Sequence, residues 1–127
     1  MSWHVFSDSD TAWDRVIQSL VPHTPFQGSQ WANFRAAEGW SPLRLVSANK
    51  QCAIQFLVKE TRGLLVIGWA AGGPVGQLSP ELAVTLSRFF RRQFPLRVVY
   101  LRLSDFHKSE LTSSALYELA GWRRCLH

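Results

Sequence analysis

The hydrophobic period of the chain changes at Pro42, and that change limits the folds open to it. Before it, Trp13, Val16, Ile17 and Leu20 recur at i, i+3, i+4 and i+7, which predicts an amphipathic helix stopped by Pro22. The run from Ser7 to Thr11 supplies capping oxygens for that helix, with Thr11 and Asp14 at capping-box spacing, and a short strand over Trp3–Phe6 precedes it. A second helix opens with Ser29 as its N-cap, carries Trp31 and Phe34 inward and ends at Gly39, the residue that takes the left-handed conformation at least cost. After Pro42 the spacing is that of strands. Leu43 and Leu45 flank Arg44, Ile54 and Phe56 flank Gln55, Val58 continues the second alternation, and Asn49-Lys50 lies between the two runs as a hairpin turn. The continuous apolar run from Leu64 to Trp69 follows the Arg62-Gly63 turn and reads as a central strand.

Helical spacing then returns. Ser79-Pro80-Glu81 has the signature of a helix start, with a capping hydroxyl, proline at the first position and an acid in the first turn. A helix over residues 80–94 collects Leu82, Leu86, Phe89 and Phe90 on one face and Arg88, Arg91 and Arg92 on the other. Arg97 to Leu103 alternates as a strand, Leu111 to Ala120 forms a last helix closed by Gly121, and Trp122 to Leu126 begins a further strand. The order is strand, helix, helix, three strands, helix, strand, helix, strand. That order predicts a mixed sheet flanked by helices, in the α+β or α/β class. At 127 residues, 46% of them apolar and 18% charged, residues 1–127 suffice for one domain with one core.

Fourteen Lys and Arg against nine Asp and Glu give a net charge of +5. Arg88, Arg91, Arg92, Arg97 and Arg102 lie close together in sequence with no acid between them, a local positive field suited to phosphates or nucleic acid. The uncharged stretch from Gly63 to Pro80 is broken by Gly68, Gly72, Gly73, Pro74 and Gly76, so no transmembrane segment is expected. The N-terminus has neither a basic n-region nor an apolar h-region, and the expectation is a cytoplasmic protein. Cys52 and Cys125 belong to no ligand spacing and read as structural thiols. His4, His23, His107 and His127 lack metal-ligand spacing, so no metal site is expected. Neither a nucleophile elbow nor a Walker-type phosphate loop is present. Gly72, Gly73 and Gly76 could present backbone N–H groups to a phosphate, although Pro74 removes one donor. Trp31, Trp40 and Trp69 could form a stacking platform, but their helix and strand positions point them at the core.

The element order resembles the acyl-CoA N-acyltransferase (GNAT) fold, without its closing hairpin. Four strings also resemble the Fem-type aminoacyltransferases, which build peptidoglycan interpeptide bridges. They are Phe26-Gln27-Gly28-Ser29-Gln30-Trp31 with Phe34 after it, Gly39-Trp40-Ser41-Pro42, Gly72-Gly73-Pro74-Val75, and Leu101-Arg102-Leu103. Their order spreads over most of the chain. The resemblance implies transfer of an aminoacyl group from aminoacyl-tRNA to an amine of a nucleotide- or lipid-linked peptidoglycan precursor. It also implies that this chain corresponds to the first of two GNAT-like subdomains, on the acceptor side and incomplete alone.

By the same resemblance, Arg35 stands where similar proteins direct a basic residue at the precursor's phosphates, and Gly73, in the glycine string, is a further candidate contact. Relatives tend to carry an acid directly after the strand holding Leu101-Arg102-Leu103; here that place is Ser104, with Asp105 one later. The substrate-binding candidates are therefore Arg35, Gly73, Ser104 and Asp105. The acetyl-CoA signature of simple GNAT enzymes is absent before Pro80, so no cofactor is expected. Two other functions fit the same residues: a GNAT-type N-acyltransferase with another acyl donor, and a non-enzymatic basic module for nucleic acid or a partner chain. A truncated final strand would leave an open sheet edge, which suggests a homodimer or a missing second subdomain.

Overall fold

The computed structural model describes residues 2–61 and 63–104, and within them the change of period at Pro42 separates the first two helices from the meander of three strands that follows. The chain forms β1 (Trp3–Val5), α1 (Asp10–Ser19), a 3-10 turn (Pro25–Gln27), α2 (Ser29–Ala36), β2 (Ser41–Ser47), β3 (Cys52–Glu60), β4 (Leu65–Ala71), β5 (Val75–Gly76), α3 (Pro80–Arg92) and β6 (Val98–Ser104). The expected helix from Leu111 and strand from Trp122, together with Asp105, Cys125 and the question of a closing hairpin, lie outside the described residues.

Local chemistry moves two helix starts. Ser9 caps α1, its hydroxyl accepting from the Ala12 N–H at 3.2 Å, because it precedes the helical residues by the one position an N-cap requires. Thr11 is already inside the helix. Ser29 is likewise the first residue of α2, with Gly28 at the cap, and its N–H and hydroxyl both donate to the Asp14 carboxylate at 2.8 and 2.5 Å. Asp14 thus joins α2 to α1. Helix α3 starts as expected, with the Ser79 hydroxyl accepting from Leu82 N–H at 3.2 Å.

The sheet runs β1-β2-β3-β4-β6, with β5 also on β3; every pairing is antiparallel except β4 with β6. A parallel neighbour needs a crossover, and α3 supplies it. Strand β3 is buried from Cys52 to Val58, so its side chains fill two cores. On one face Cys52, Ile54, Phe56 and Val58 pack with Leu45, Val66 and the Leu82, Leu86 and Phe90 stripe of α3. On the other, Ala53 and Val75 pack with Trp13 and Ile17 of α1. Arg88, Arg91 and Arg92 stand exposed on the back of α3. Gly68 lets α3 approach β4 closely: a Cβ there would lie 2.7 Å from Phe90 Cζ and 2.8 Å from Leu101 Cδ2. The indole N–H groups also tie layers together. Trp3 donates to Leu82 O at 3.3 Å and Trp13 to Gln27 O at 2.7 Å.

Among the described residues no helix is long and apolar enough to cross a membrane, and no group of three His, Cys, Asp or Glu could hold a metal ion.

Candidate functional site

Phe34 departs from its expected inward position and is 67% exposed. The eight residues of α2 bury only Ser29 and Ala32, so the face that turns toward β4 is made of Trp31 and Arg35, one turn apart. Trp31, Trp40 and Trp69 are half-buried rather than enclosed in the main cores. They form a connected cluster of their own. Trp69 meets Trp31 and Trp40 edge-on, each at 5.9 Å between centroids, while Phe34 stacks on Trp31 at 5.9 Å and 22° and Phe26 meets it at 4.9 Å.

Arg35 lies in this cluster. Its guanidinium carbon is 4.7 Å from the Trp31 ring centroid, 5.4 Å from that of Trp69 and 5.8 Å from that of Phe34. Such contacts between cation and ring face hold a guanidinium in place while leaving its planar edge available. Nη1 donates to Glu38 at 2.7 Å. Nε is enclosed and has no hydrogen-bond partner among the described residues, and the same holds for the Trp31 indole N–H. Two neighbouring donors without acceptors are costly to leave so. Lys59 Nζ sits 5.3 Å from the Trp40 ring, and the parallel register places Arg102 opposite Trp69. Cationic side chains therefore surround the aromatic cluster.

The carboxyl ends of parallel strands β4 and β6 lie one step beyond, with Ala71 opposite Ser104. In open sheets the crevice outside such strand ends is where ligands bind. Gly73 follows, after Gly72, with a cis bond to Pro74. It is buried against the Gln27 side chain: a Cβ would lie 2.7 Å from Gln27 Cδ and Oε1. Gln27 in turn replaces strand pairing where β3 and β4 part. Its Nε2 donates to Gln55 O at 3.1 Å and Ala71 O at 2.8 Å, and its Oε1 accepts from Gln55 N–H at 2.6 Å. Of the sequence candidates, Arg35 lies beside Trp69 of β4 and Ser104 ends β6, while the sequence reading assigns Trp31, Trp40 and Trp69 to the core instead of to one cluster with Arg35 and gives no role to Gln27 or Lys59. The i, i+4 spacing of Trp31 and Arg35 was the one local sign of that cluster.

Two further features of the described residues lie outside this cluster. Cys52 is fully buried and burial pushes its thiol up to about 12, so it stays protonated and unreactive. A groove of about 360 Å³ lined by Ser41, Leu43, Val58, Glu60 and Phe94 opens on the α3 face, and its one ionisable group is Glu60.

No protein-family profile and no curated protein matches the chain. Among solved structures the chain is similar to the crystal structure of FemX, with a TM-score of 0.59 and 17% sequence identity over 74% of this chain. The matched part spans 24% of the FemX chain. At that identity the likeness is one of fold: a Fem-like, GNAT-like mixed sheet with helices on both faces.

Proposed function

We propose that this chain is the acceptor-side domain of a Fem-like aminoacyltransferase. It would hold a phosphate-bearing peptidoglycan precursor in the cytoplasm while an aminoacyl group passes from aminoacyl-tRNA to the precursor's amine. The observation that carries this reading is the pair of unpartnered donors, Arg35 Nε and Trp31 Nε1, within an aromatic cluster flanked by Lys59 and Arg102. The Arg35 side chain is 26% exposed, so phosphate oxygens would meet the outer part of its planar fork and would reach the enclosed Nε and the Trp31 N–H only with a shift of the aromatic cluster.

Ser104 and Asp105, at and beyond the end of β6, would meet the rest of the precursor. Gly73 would serve by keeping Gln27 in place at the mouth of the site. Aminoacyl transfer needs a neutral amine beside an ester carbonyl and donors for the developing oxyanion. The described residues bind and orient; in this reading a second subdomain or a second copy completes the reacting centre.

Titration of the protein with a nucleotide-linked muramyl peptide, followed by NMR, tests the reading. Shifts should map to α2, β4 and the end of β6, and binding should weaken with salt. Arg35→Ala should cost on the order of 1.5–3 kcal/mol of binding, the loss of a charged hydrogen bond, with Arg35→Lys between it and the parent. Arg91→Ala should leave affinity unchanged. Equal losses for Arg35→Ala and Arg91→Ala, with shifts on the back of α3, would assign the chain to nonspecific polyanion binding.

A further inference from the structure

At the opposite end of β4 from the aromatic cluster, two turns lie side by side. The β3–β4 turn presents Leu64, 63% exposed, and the α3–β6 turn presents Leu96, 95% exposed. The turns are fastened to each other: Leu64 O accepts from Val98 N–H at 2.7 Å and from Arg97 Nε at 3.3 Å. The β3–β4 turn is closed by Thr61, whose N–H and hydroxyl both donate to Leu65 O. Directly behind, Leu65 and Val98 are paired in the β4–β6 register and are 37% and 61% exposed. Four exposed aliphatic side chains thus mark this end of the β4–β6 pair as an apolar tip, on two turns bonded to each other. Leu96 does so with φ at +62°, a conformation unfavourable for a leucine and better suited to asparagine or glycine.

The charge around the tip is cationic. Arg91 and Arg92, in the last turn of α3, are exposed, and their guanidinium groups have no ion pair or hydrogen bond among the described residues. Arg97 is held by Glu60 at 3.4 Å. Convex aliphatic turns with flanking arginines suit a soft surface that accepts apolar side chains and carries negative headgroups. They suit a nucleic acid poorly, because the leucines would meet only phosphate and water. We infer that this tip docks the protein on an anionic lipid bilayer, with Leu64 and Leu96 entering the interface and Arg91 and Arg92 facing lipid phosphates.

Co-sedimentation of the protein with phosphatidylcholine–phosphatidylglycerol vesicles tests the inference against pure phosphatidylcholine. The protein should bind the anionic vesicles and leave the neutral ones. Each arginine near such a surface contributes about fivefold in partitioning, so Arg91→Gln with Arg92→Gln should weaken binding roughly twenty-five-fold. Leu64→Ser with Leu96→Asn should weaken it at least about fivefold at unchanged thermal stability, since asparagine accepts the backbone at position 96. Val21→Ser, an exposed site whose neighbour Pro22 bonds Gly76 at the other end of β4, should change nothing. Failure to bind anionic vesicles would overturn the inference. So would unchanged vesicle binding in the leucine variant, whether the arginines alone then attract polyanions or the variant instead dissolves a dimer built on the tip.

Discussion

Gly73 and Gln27 are neighbours only in space, and the space between them admits no further atom. A methyl at position 73 would have to displace the Gln27 amide, whose three hydrogen bonds satisfy Gln55 N–H, Gln55 O and Ala71 O. Gly73→Ala should therefore destabilise the protein by about 2–4 kcal/mol, the combined effect of overpacking and buried groups left unpaired. Gln27→Ala should cost a similar amount. Since either change alone breaks the same bonds, the double variant should lose clearly less than the sum, a coupling that chemical denaturation of the four proteins would measure. Additive losses would show that the two residues act separately. The glycine is visible in the sequence as a loop element, but its reason is not: a buried glutamine looks like any surface glutamine until the fold encloses it. Arg35 differs, because its place one turn after Trp31 can be read from the sequence. The partner that completes its setting, Trp69, is brought beside it by the sheet.

At the scale of elements, α3 was legible because its signals are local. A capping serine, a first-turn proline and an apolar stripe all lie within thirteen residues, and the helix occupies Pro80–Arg92. Helix α2 was legible in its place but not in its facing, since so few of its residues are buried that its orientation is set by aromatic contacts with β4 rather than by a stripe. For α1 the anchor is ionic. Asp10, in its first turn, accepts from Arg44 Nη1 at 2.7 Å, while Arg44 Nε donates to Gln55 Oε1 at 2.9 Å beneath Trp13. The Arg44 hydrogen bond, followed by one from Asn33, holds the Asp10 carboxyl below its ordinary value. A depressed folded pKa contributes stability that is present above the unfolded value, near 3.9, and lost as pH falls through the folded one. Thermal unfolding from about pH 2 to pH 7 should thus show an acid-side loss that is reduced in Asp10→Asn. The variant should also be about 1 kcal/mol less stable near neutrality, a figure kept small because Asp10 is half exposed. An unaltered acid limb would mean that other carboxylates dominate it.

For the whole molecule, the strand order follows from the sequence only in part. The β2-β3-β4 meander is written in alternation and turns, and the crossover through α3 makes β6 parallel to β4. The short β5 and the two-sided burial of β3 are not so written, because they depend on which layers come to cover the sheet. That burial has a further consequence for the rate at which backbone protons are traded with solvent. Strand β3 is bonded to β2, β4 and β5 and closed on both faces, so the amides of residues 53–58 should exchange with deuterium only when the entire domain opens. Their exchange rate then serves as an internal gauge of anything that binds the folded form alone. A nucleotide-linked muramyl peptide at about a hundred times its dissociation constant should slow these protons roughly hundredfold, although none of them touches the ligand.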